Sequence, residues 1–293
     1  MKKYGLFFLK TISWITLRIP VRLLHVMSYW VGFLWFDVFG FRKKIILQNL
    51  DIAFPEWSAA KKKAVGRESV YNLGYNFSEL FLIPGMTPKW AEKNIVFDGW
   101  EHVENALAQK KGLFFLTLHL GNGDLATKAT SLRGLEVNMI TKRFKTPWFD
   151  QLWFTLRGGK GIRYIDSHSP TNAFEILKAL KRNAAVVFVL DQFMGKPFGI
   201  ETQFFGRTTG TAYGLAVFCQ KSKAPVIPVY TYHAHDGKLH VVFEPSLDTQ
   251  KFIVEDKDRA IKDLTQSFND KLEEIVRRHP EQWMWVHRRW KDF

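Results

Sequence analysis

The sequence predicts an α/β fold in which a mixed, largely parallel sheet is flanked by helices. Short apolar or β-branched runs alternate with helical stretches, as is typical of buried strands in a parallel sheet covered on both faces. These runs are 112–118, 136–141, 184–190 and 225–232. Between the last run and another apolar run stands Asp236–Gly237, a pair typical of a tight hairpin turn. An antiparallel pair of strands should therefore complete the sheet.

Helical patterns surround the strand-like runs. From residue 42 to 82 apolar residues recur at helical spacing, with a break at Phe54 and Pro55. After the hairpin, apolar residues from Ile261 to Ile275 keep this spacing in a charged background. That pattern predicts a surface helix that packs one face on the core and ends before Pro280.

Two regions are expected: a hydrophobic, Trp-rich segment over residues 1–41 and a single α/β domain over residues 42–293. The chain has 293 residues, 46% of them hydrophobic, which is enough to bury a large core. Its 42 Lys and Arg against 28 Asp and Glu give a net charge of +14, which attracts nucleic acid, anionic lipid or an acidic protein. Tryptophans crowd the first third, and their amphipathic rings favour a lipid surface among these partners. They are Trp14, Trp30, Trp35, Trp57, Trp90 and Trp100.

The first segment is expected to dock on a membrane. Met1 to Lys3 and the apolar residues after them are similar to a signal peptide, but Lys10 and two arginines interrupt the pattern and no cleavage site follows. The segment should therefore stay attached. Its longest run without a charge, 23–36, has fourteen residues, short of the ~18 to 20 that span a bilayer. We expect helices lying in the interface, with a tilted span or an ordinary core helix as alternatives.

The single cysteine, Cys219, excludes an intrachain disulfide and any multi-cysteine metal site, which suits a reducing compartment. It stands among apolar residues in a helix-like run. We therefore interpret it as a buried core thiol instead of a nucleophile.

The strongest candidate for chemistry is His119, which follows the strand-like run 113–118 and precedes a glycine turn and Asp124. The carboxyl ends of parallel strands are where α/β proteins place ligands. Gly121 and Gly123 let the backbone fold back, and Asp124 at the start of a helix could accept a hydrogen bond from the imidazole. That bond would fix the tautomer and leave the other ring nitrogen as a general base. A structural histidine is the alternative.

The same turn imitates a dinucleotide fingerprint, since Gly121, Gly123 and Ala126 follow a strand. No acidic residue ends the next strand, where Lys142 and Arg143 stand instead. We therefore expect no nucleotide cofactor, and no other cofactor is indicated.

Four basic residues flank the segment 146–161, and we expect Arg143 and Arg157 among them to grip phosphate or polarise an acyl carbonyl. The other two are Lys160 and Arg163. A solvated basic face is the alternative interpretation.

Three further places are candidates for substrate binding. Asp191 follows the run 184–190, so it faces the same edge as His119 and should orient either the substrate or His119. Asn122 lies inside the glycine turn. The aromatic and hydroxyl cluster 204–211, with Gly206 and Arg207, should shape an acyl slot with a polar mouth, or is a turn before a helix.

Histidines near the hairpin do not predict a metal centre. A two-residue turn at Asp236 and Gly237 would place His233 opposite His240, with His235 on the same face. A metal needs more ligands than this arrangement offers, so exposed hairpin histidines are the preferred interpretation.

Taken together, these motifs resemble the late lipid A acyltransferases, the lauroyl and myristoyl transferases of Gram-negative bacteria, which are related to glycerolipid acyltransferases. The resemblance extends over most of the chain. It is carried by Arg42, Asn49–Leu50, 53–56, 119–124, 204–206, 224–228 and 280–290. It implies a glycerolipid acyltransferase-like fold, with His119 as the base of an H-x4-D/E motif and Asp124 as the acid that orients it. Arg157 and Asp191 are similar to further site residues of the family.

The resemblance also implies substrates and a location. The donor would be a thioester of acyl carrier protein or coenzyme A, and the positive charge favours the acidic carrier protein. The acceptor would be a membrane glycolipid, best matched by a lipid A precursor, with an aminolipid or phosphoglycolipid as alternatives. The enzyme would lie on the cytoplasmic face of the inner membrane, either peripheral to it or held by one N-terminal anchor.

Two other function classes have less support in the sequence. A serine hydrolase would need a G-x-S-x-G elbow, and the sequence contains none. A non-enzymatic adaptor for membranes or nucleic acid would fit the charge and the aromatic residues, but no nucleic-acid-binding motif is recognisable, so we expect no nucleic-acid partner.

Overall fold

A seven-stranded mixed sheet forms the centre of the protein, in a computed structural model that describes residues 11–252 and 254–293. The sheet strands are β1 (Ile95–Asp98), β2 (Leu113–Thr117), β3 (Val137–Thr141), β4 (Ile162–Asp166), β5 (Ala185–Val189), β8 (Val226–His233) and β9 (Leu239–Phe243), and β6 (Gly199–Phe204) and β7 (Arg207–Ala212) form a separate hairpin. The spatial order is β1-β9-β8-β2-β5-β3-β4. Strands β8, β2, β5, β3 and β4 are parallel, whereas β9 pairs antiparallel with β8, and β1 runs parallel to β9. The predicted fold class is confirmed.

Helices cover both faces of this sheet. They are α1 (Val21–Phe33), α2 (Lys43–Ala53), α3 (Ala59–Glu79), α4 (Pro88–Asn94), α5 (Trp100–Ala108), α6 (Gly123–Leu132), α7 (Pro147–Arg157), α8 (Asn172–Lys181), α9 (Gly214–Ser222) and α10 (Lys257–Arg278), with short helical turns at Leu34–Phe39, Leu80–Gly85, Gln250–Phe252 and Pro280–Gln282. The predicted break at Phe54–Pro55 separates α2 from α3, and the last long helix ends before Pro280, as expected.

Burial on both faces explains why the strand sequences are continuously apolar. Phe114 and Leu116 of β2 point into one core layer with α8, α9 and α10, while Leu113 and Phe115 point into the other with α5 and α6. A strand covered on both sides needs apolar side chains at every position, because successive residues face opposite layers. Cys219 lies in the first of these layers, and burial raises the pKa of its thiol, which confirms a core role.

The antiparallel hairpin is confirmed, but its register is not the expected one. His233 pairs with Leu239, and His240 pairs with Tyr232. The connecting loop covers residues 234–238 and so is longer than two residues, which shifts the pairing by one position. The expectation that His233 faces His240 was therefore wrong, since a one-residue slip turns every side chain to the other face.

The N-terminal part that the structure describes consists of a helical stretch over residues 11–16, then α1 and the turn Leu34–Phe39. Met1 to Lys3 and Lys10, the basis of the signal-peptide comparison, lie outside the described residues. Gly32 of α1 packs directly on α3, where a Cβ would stand 2.9 Å from the Tyr71 Cα. No single described helix is long and apolar enough to cross a bilayer, although the pair Leu23–Phe39 and Lys43–Ala53, bent by 95°, reaches the required length and composition together.

The C-terminal segment that follows α10 runs across the carboxyl edge of the parallel strands. The Asn49 side chain of α2 donates to the carbonyls of Trp285 and His287 at 2.8 and 2.7 Å. The His119 carbonyl accepts from the Met284 backbone N–H at 3.0 Å. These contacts fix the segment directly behind His119. The division of the chain at residue 41 stays a prediction.

Candidate active site

His119 and Asp191 meet because the strands before them are neighbours in register. Thr117 pairs with Val189 across β2 and β5, and each of the two site residues lies two positions further along its strand direction. Parallel strands keep such positions level, so a pair 72 residues apart in sequence becomes adjacent in space. The expected convergence of these two side chains at one edge is present.

Asp191 accepts three hydrogen bonds. Its Oδ1 accepts from His119 Nδ1 at 2.8 Å, and its Oδ2 accepts from the His119 backbone N–H at 2.9 Å and from Trp283 Nε1 at 2.8 Å. The carboxylate is only 2% exposed. A buried anion needs such a set of donors, because water is not available to solvate it.

The charges of this pair stabilise each other. Burial raises the pKa of Asp191, but the His119 charge and the donated hydrogen bonds outweigh burial and hold that pKa at about 2. Burial lowers the pKa of His119, yet the opposite charge of Asp191 and its hydrogen bond leave that pKa above the usual 6.5. Since the His119 side chain is 40% exposed, solvent limits the effect of burial and favours the upward direction.

Nδ1 of His119 must carry a hydrogen, because an ionised carboxylate only accepts hydrogen bonds. Deprotonated imidazole therefore has its lone pair on Nε2. The result is a ring held from behind by Asp191 and partly open to solvent in front. Such a ring can take a proton from a hydroxyl group placed at this edge.

The hydrogen bond that the sequence led us to expect from Asp124 is made by Asp191. Within the described residues Asp124 has no hydrogen bond to His119, although its charge helps to raise the pKa of the imidazole. Asp124 Oδ1 instead accepts from Arg157 Nε at 2.7 Å and lies 2.5 Å from Nη2 of the same guanidinium. Asp124 is in the first turn of α6, and Arg157 ends α7, so this pair ties the two helices together.

The glycine turn after His119 is needed for close packing. Gly121 has a φ of +58°, and a Cβ there would lie 2.3 Å from the Thr231 carbonyl oxygen. The Cβ of any other residue would force the backbone away from β8. This shift would also displace His119.

Asn122, a candidate for substrate binding, makes structural contacts. Its Oδ1 caps α6 by accepting from the Leu125 N–H at 3.0 Å. Its Nδ2 donates to Glu79 Oε2 at 2.8 Å and to the Asn76 carbonyl at 3.2 Å. Glu79 in turn lies 3.1 Å from His233 Nε2, so a buried polar network supports the turn from behind.

The other predicted basic residues do not converge on His119. Arg143 pairs with Asp150 at the start of α7 and stacks over Phe154 at 4.2 Å. Arg163 pairs with Glu136 at 3.3 Å, next to the amino ends of the strands and so at the opposite edge of the sheet. Local ion pairs thus occupy both guanidinium groups.

Gly206 and Arg207 lie on the β6–β7 hairpin, apart from the His119 turn. Phe205 and Gly206 both have positive φ, at 52° and 67°, as a two-residue turn with pairing of Phe204 to Arg207 requires. Phe204 is buried against Trp283 and Trp290. The aromatic part of the predicted acyl slot is therefore core packing, and Arg207 extends from the tip of the hairpin.

Sequence reasoning about local motifs missed two residues that support the site. Trp283 donates to Asp191, and the fully buried Arg289 donates to the carbonyls of Gln192 and Gly210 at 3.1 and 2.7 Å. Burial lowers the pKa of Arg289 to about 10, opposed by the charge of Asp191. Only the family resemblance of 280–290 pointed to this segment, since nothing in its local pattern links it to a strand end.

A double-mutant cycle on Asp124 and Arg157 is expected to show strong coupling in stability. The side chains are 20% and 11% exposed, so removing one partner leaves a poorly solvated charge. Asp124→Asn or Arg157→Met should each lower the free energy of unfolding by about 3 kcal/mol, as for buried pairs. The double variant should lose less than the sum, measured by urea denaturation. Additive losses would show that the ion pair contributes nothing by itself.

Comparison with known proteins adds a family to this geometry. A sequence model of the family described as bacterial lipid A biosynthesis acyltransferase matches residues 1–292 of the chain.

Three curated proteins illustrate the range of similarity. A lipid A biosynthesis acyltransferase of Haemophilus influenzae is 23% identical over 290 residues, covering 96% of this chain and 85% of that protein. A lipid A biosynthesis lauroyltransferase of Escherichia coli is 23% identical over 294 residues, covering 96% and 89%. A phosphatidylinositol mannoside acyltransferase of Mycobacterium tuberculosis is 24% identical over 225 residues, covering 76% and 69%.

Proposed function

Because this chain belongs to the bacterial lipid A biosynthesis acyltransferase family and is therefore an acyltransferase, we propose that it moves a fatty acyl chain from a thioester to a hydroxyl of a membrane glycolipid. The observation that carries this mechanism is the buried carboxylate of Asp191 behind a partly exposed His119. It supplies a histidine base of fixed tautomer at the ligand-binding edge of the sheet.

In the proposed reaction, Nε2 of His119 takes the proton of the acceptor hydroxyl while that oxygen attacks the carbonyl carbon of the thioester. A carbon–oxygen bond forms, and the carbon–sulfur bond breaks in the resulting tetrahedral intermediate. The leaving thiolate receives the proton from the imidazolium, so the products are an ester and a free thiol. No covalent enzyme intermediate is required, because a thioester already has a good leaving group.

Asp191 is the positioning residue for His119 in this proposal, and Asp124 acts together with Arg157. Asp124 lies near enough to His119 to affect the pKa of the imidazole, and so does Arg157. Asp124 would hold the guanidinium beside the reacting group, where it can oppose the negative charge that develops on the carbonyl oxygen. The catalytic assignment thus keeps His119 and Asp124, with the orienting contact supplied by Asp191.

The donor is proposed to be an acyl carrier protein thioester, with a coenzyme A thioester as the alternative. The net charge of +14 supports the carrier protein if that partner is acidic, since opposite charges speed encounter.

A lipid A precursor is the proposed acceptor. The relatives named for lipid A biosynthesis cover most of the chain, and the mannoside acyltransferase shows that similar proteins are named for another sugar-containing lipid. A different phosphoglycolipid or an aminolipid is the alternative.

The enzyme is proposed to work on the cytoplasmic face of the inner membrane, attached through its N-terminal segment. Large apolar side chains in this part are exposed, and such a patch is typical of an interaction surface. They include Trp14, Leu23, Val26, Met27, Trp30, Leu34, Val38, Phe39 and Phe41. Either a peripheral attachment or a single anchor would fit this surface.

Intact lipid mass spectrometry can test the proposal in cells. Cells that lack the gene should accumulate a glycolipid lighter by one acyl chain, and wild-type protein should restore the missing chain. His119→Ala at matched protein level should not restore it. Rescue by that variant would reject His119 as the base, whereas an unchanged lipid profile would favour another acceptor or a binding role.

A further inference from the structure

A basic cleft lies apart from the His119 turn. Its volume is about 540 Å³, and it is bounded by α2, the tip of the β6–β7 hairpin and the C-terminal segment. The side chains that matter here are Lys44, Gln48, Asp51, Arg207, Arg288 and Trp290. Among the described residues, none of these side chains contacts His119 or Asp191 directly.

The walls of the cleft are held by specific contacts. Lys44, Gln48 and Asp51 share one face of α2, because they are spaced four and three residues apart. Asn49 on the same helix binds the His287 carbonyl at 2.7 Å, which places Arg288 beside α2. This contact fixes the backbone of α2 relative to the C-terminal segment, and so the positions from which Lys44 and Arg288 extend.

The hairpin closes the other side of the cleft. Trp290 Nε1 donates to the Phe204 carbonyl at 3.0 Å, and Phe204 pairs with Arg207 across the turn. Arg207 is thereby placed near Arg288, two residues before Trp290. Arg289 between them points inward and is fully buried, so Arg288 is directed outward.

The cleft concentrates positive charge that no carboxylate neutralises. Among the described residues, Lys44, Arg207 and Arg288 have no ion-pair partner. The one acidic residue of the cleft, Asp51, already pairs with Lys62 at 2.8 Å. On the surface of α10, by contrast, Arg277 pairs with Glu273, and Arg278 pairs with Glu244. Two guanidinium groups and an ammonium group in one cleft are suited to a phosphate.

The position of the cleft favours a phosphate at a membrane surface. Lys44 lies in the first turn of α2, immediately after the corner that contains Phe39 and Phe41, which are 75% and 58% exposed. At this corner the chain bends by 95° between Leu23–Phe39 and α2. If the exposed apolar segment lies in the interface, α2 leads away from the membrane, and its first turn stands at the level of the headgroups.

We propose that the cleft formed by Lys44, Arg207 and Arg288 binds the phosphate of an anionic lipid headgroup when the N-terminal segment is docked. The inference rests on the proposed membrane attachment. Membrane docking would then depend on a defined phosphate site, in addition to the net positive charge of the protein and the burial of its apolar side chains in the membrane.

Vesicle binding by the purified full chain tests the cleft. The variant Lys44→Gln/Arg207→Gln/Arg288→Gln should bind phosphatidylcholine vesicles that contain phosphatidic acid roughly 100-fold more weakly than wild type, since each of the three cations contributes about a fivefold factor near a charged surface. Binding to pure phosphatidylcholine should not change. Inorganic phosphate at matched ionic strength should compete for wild type but not for the variant.

The matched control removes three cations from the opposite edge of the sheet: Lys110→Gln/Lys111→Gln/Lys223→Gln. These lysines precede β2 and β8. Both triple variants remove three positive charges. An equal loss of vesicle binding in the two would show that only net charge matters, and it would reject the site. Unchanged vesicle binding, with weaker binding of an acidic carrier protein or of free phosphate alone, would also reject a lipid headgroup as the ligand.

This test is independent of acyl transfer. His119→Ala should bind both kinds of vesicle like wild type, because His119 lies outside the cleft. A lack of acyl transfer in the wild-type protein would therefore count against the proposed function without affecting the vesicle result. Equal vesicle binding by the two triple variants would reject the phosphate site without affecting the proposed function.

Discussion

Replacing His119 with alanine is expected to lower the rate of acyl transfer by on the order of 10²- to 10⁴-fold, the usual contribution of a positioned general base. The acceptor hydroxyl would lose the group that removes its proton, while donor and acceptor could still bind. Release of free thiol from the thioester by purified protein measures the rate, and ester formation is verified by mass spectrometry. Fold is checked by circular dichroism.

His235→Ala is a suitable control for this variant, because His235 is an exposed histidine of the hairpin loop and has no described contact with His119 or Asp191. It should retain the wild-type rate. If His119→Ala also transferred acyl chains within a few-fold of wild type, the base would have to be another group.

The pH dependence follows from the same contact. Asp191 holds the pKa of His119 above 6.5, and only the neutral imidazole can accept a proton. The value of kcat/KM should therefore rise with pH, with the midpoint of its acidic limb above 6.5.

Asp191→Asn is expected to have nearly as large an effect on the rate, through the tautomer of His119. Two donors converge on Oδ2 of Asp191. They are the backbone N–H of His119 and the indole N–H of Trp283. The single oxygen of an asparagine should stay with these two donors, which turns its amide N–H₂ toward Nδ1. Nδ1 would then become the acceptor and Nε2 would carry the hydrogen, so the ring could no longer act as a base. A loss on the order of 10²- to 10⁴-fold is expected.

Measurements on the ring itself separate this role from a structural one. Nitrogen NMR of labelled His119 should show hydrogen on Nδ1 in wild type and on Nε2 in Asp191→Asn. The acidic limb of the residual activity should move to lower pH, because the carboxylate no longer stabilises the imidazolium, and burial still lowers the pKa.

Trp283→Phe supplies the matched comparison. It removes one donor from Oδ2 but leaves the contact between Asp191 and the ring, so stability should fall while the tautomer and the pH limb stay as in wild type. If Asp191→Asn kept the wild-type tautomer and pH limb, Asp191 would have no positioning role.

Periodicity in the sequence was sufficient to predict the fold class. The apolar runs that became β2, β3, β5 and β8 identified most of the parallel sheet, and the glycine turn placed His119 at its carboxyl edge. The break before α3, the end of α10 and the buried Cys219 were also predictable. Each of these features depends on the spacing of apolar side chains along one segment or on the backbone conformations that proline and glycine allow. Both effects act within a few residues.

Strands β1, β4, β6 and β7 were not predicted. Their sequences mix polar and apolar residues, because β1 and β4 are edge strands and the β6–β7 hairpin packs only partly into the core. Such strands are stabilised by pairing with neighbours that are distant in sequence, so their own composition says little about them.

The sequence by itself determined the fold class, the place of His119 and the presence of acidic residues at the same edge. Only the tertiary structure decided which acid contacts the ring. Asp124, five residues away, is turned by α6 toward Arg157, whereas Asp191 arrives through the register of β2 and β5, and Trp283 through the C-terminal segment. Local patterns are set by backbone geometry within a few residues, but the partner of a buried charge is set by how distant strands and segments pack.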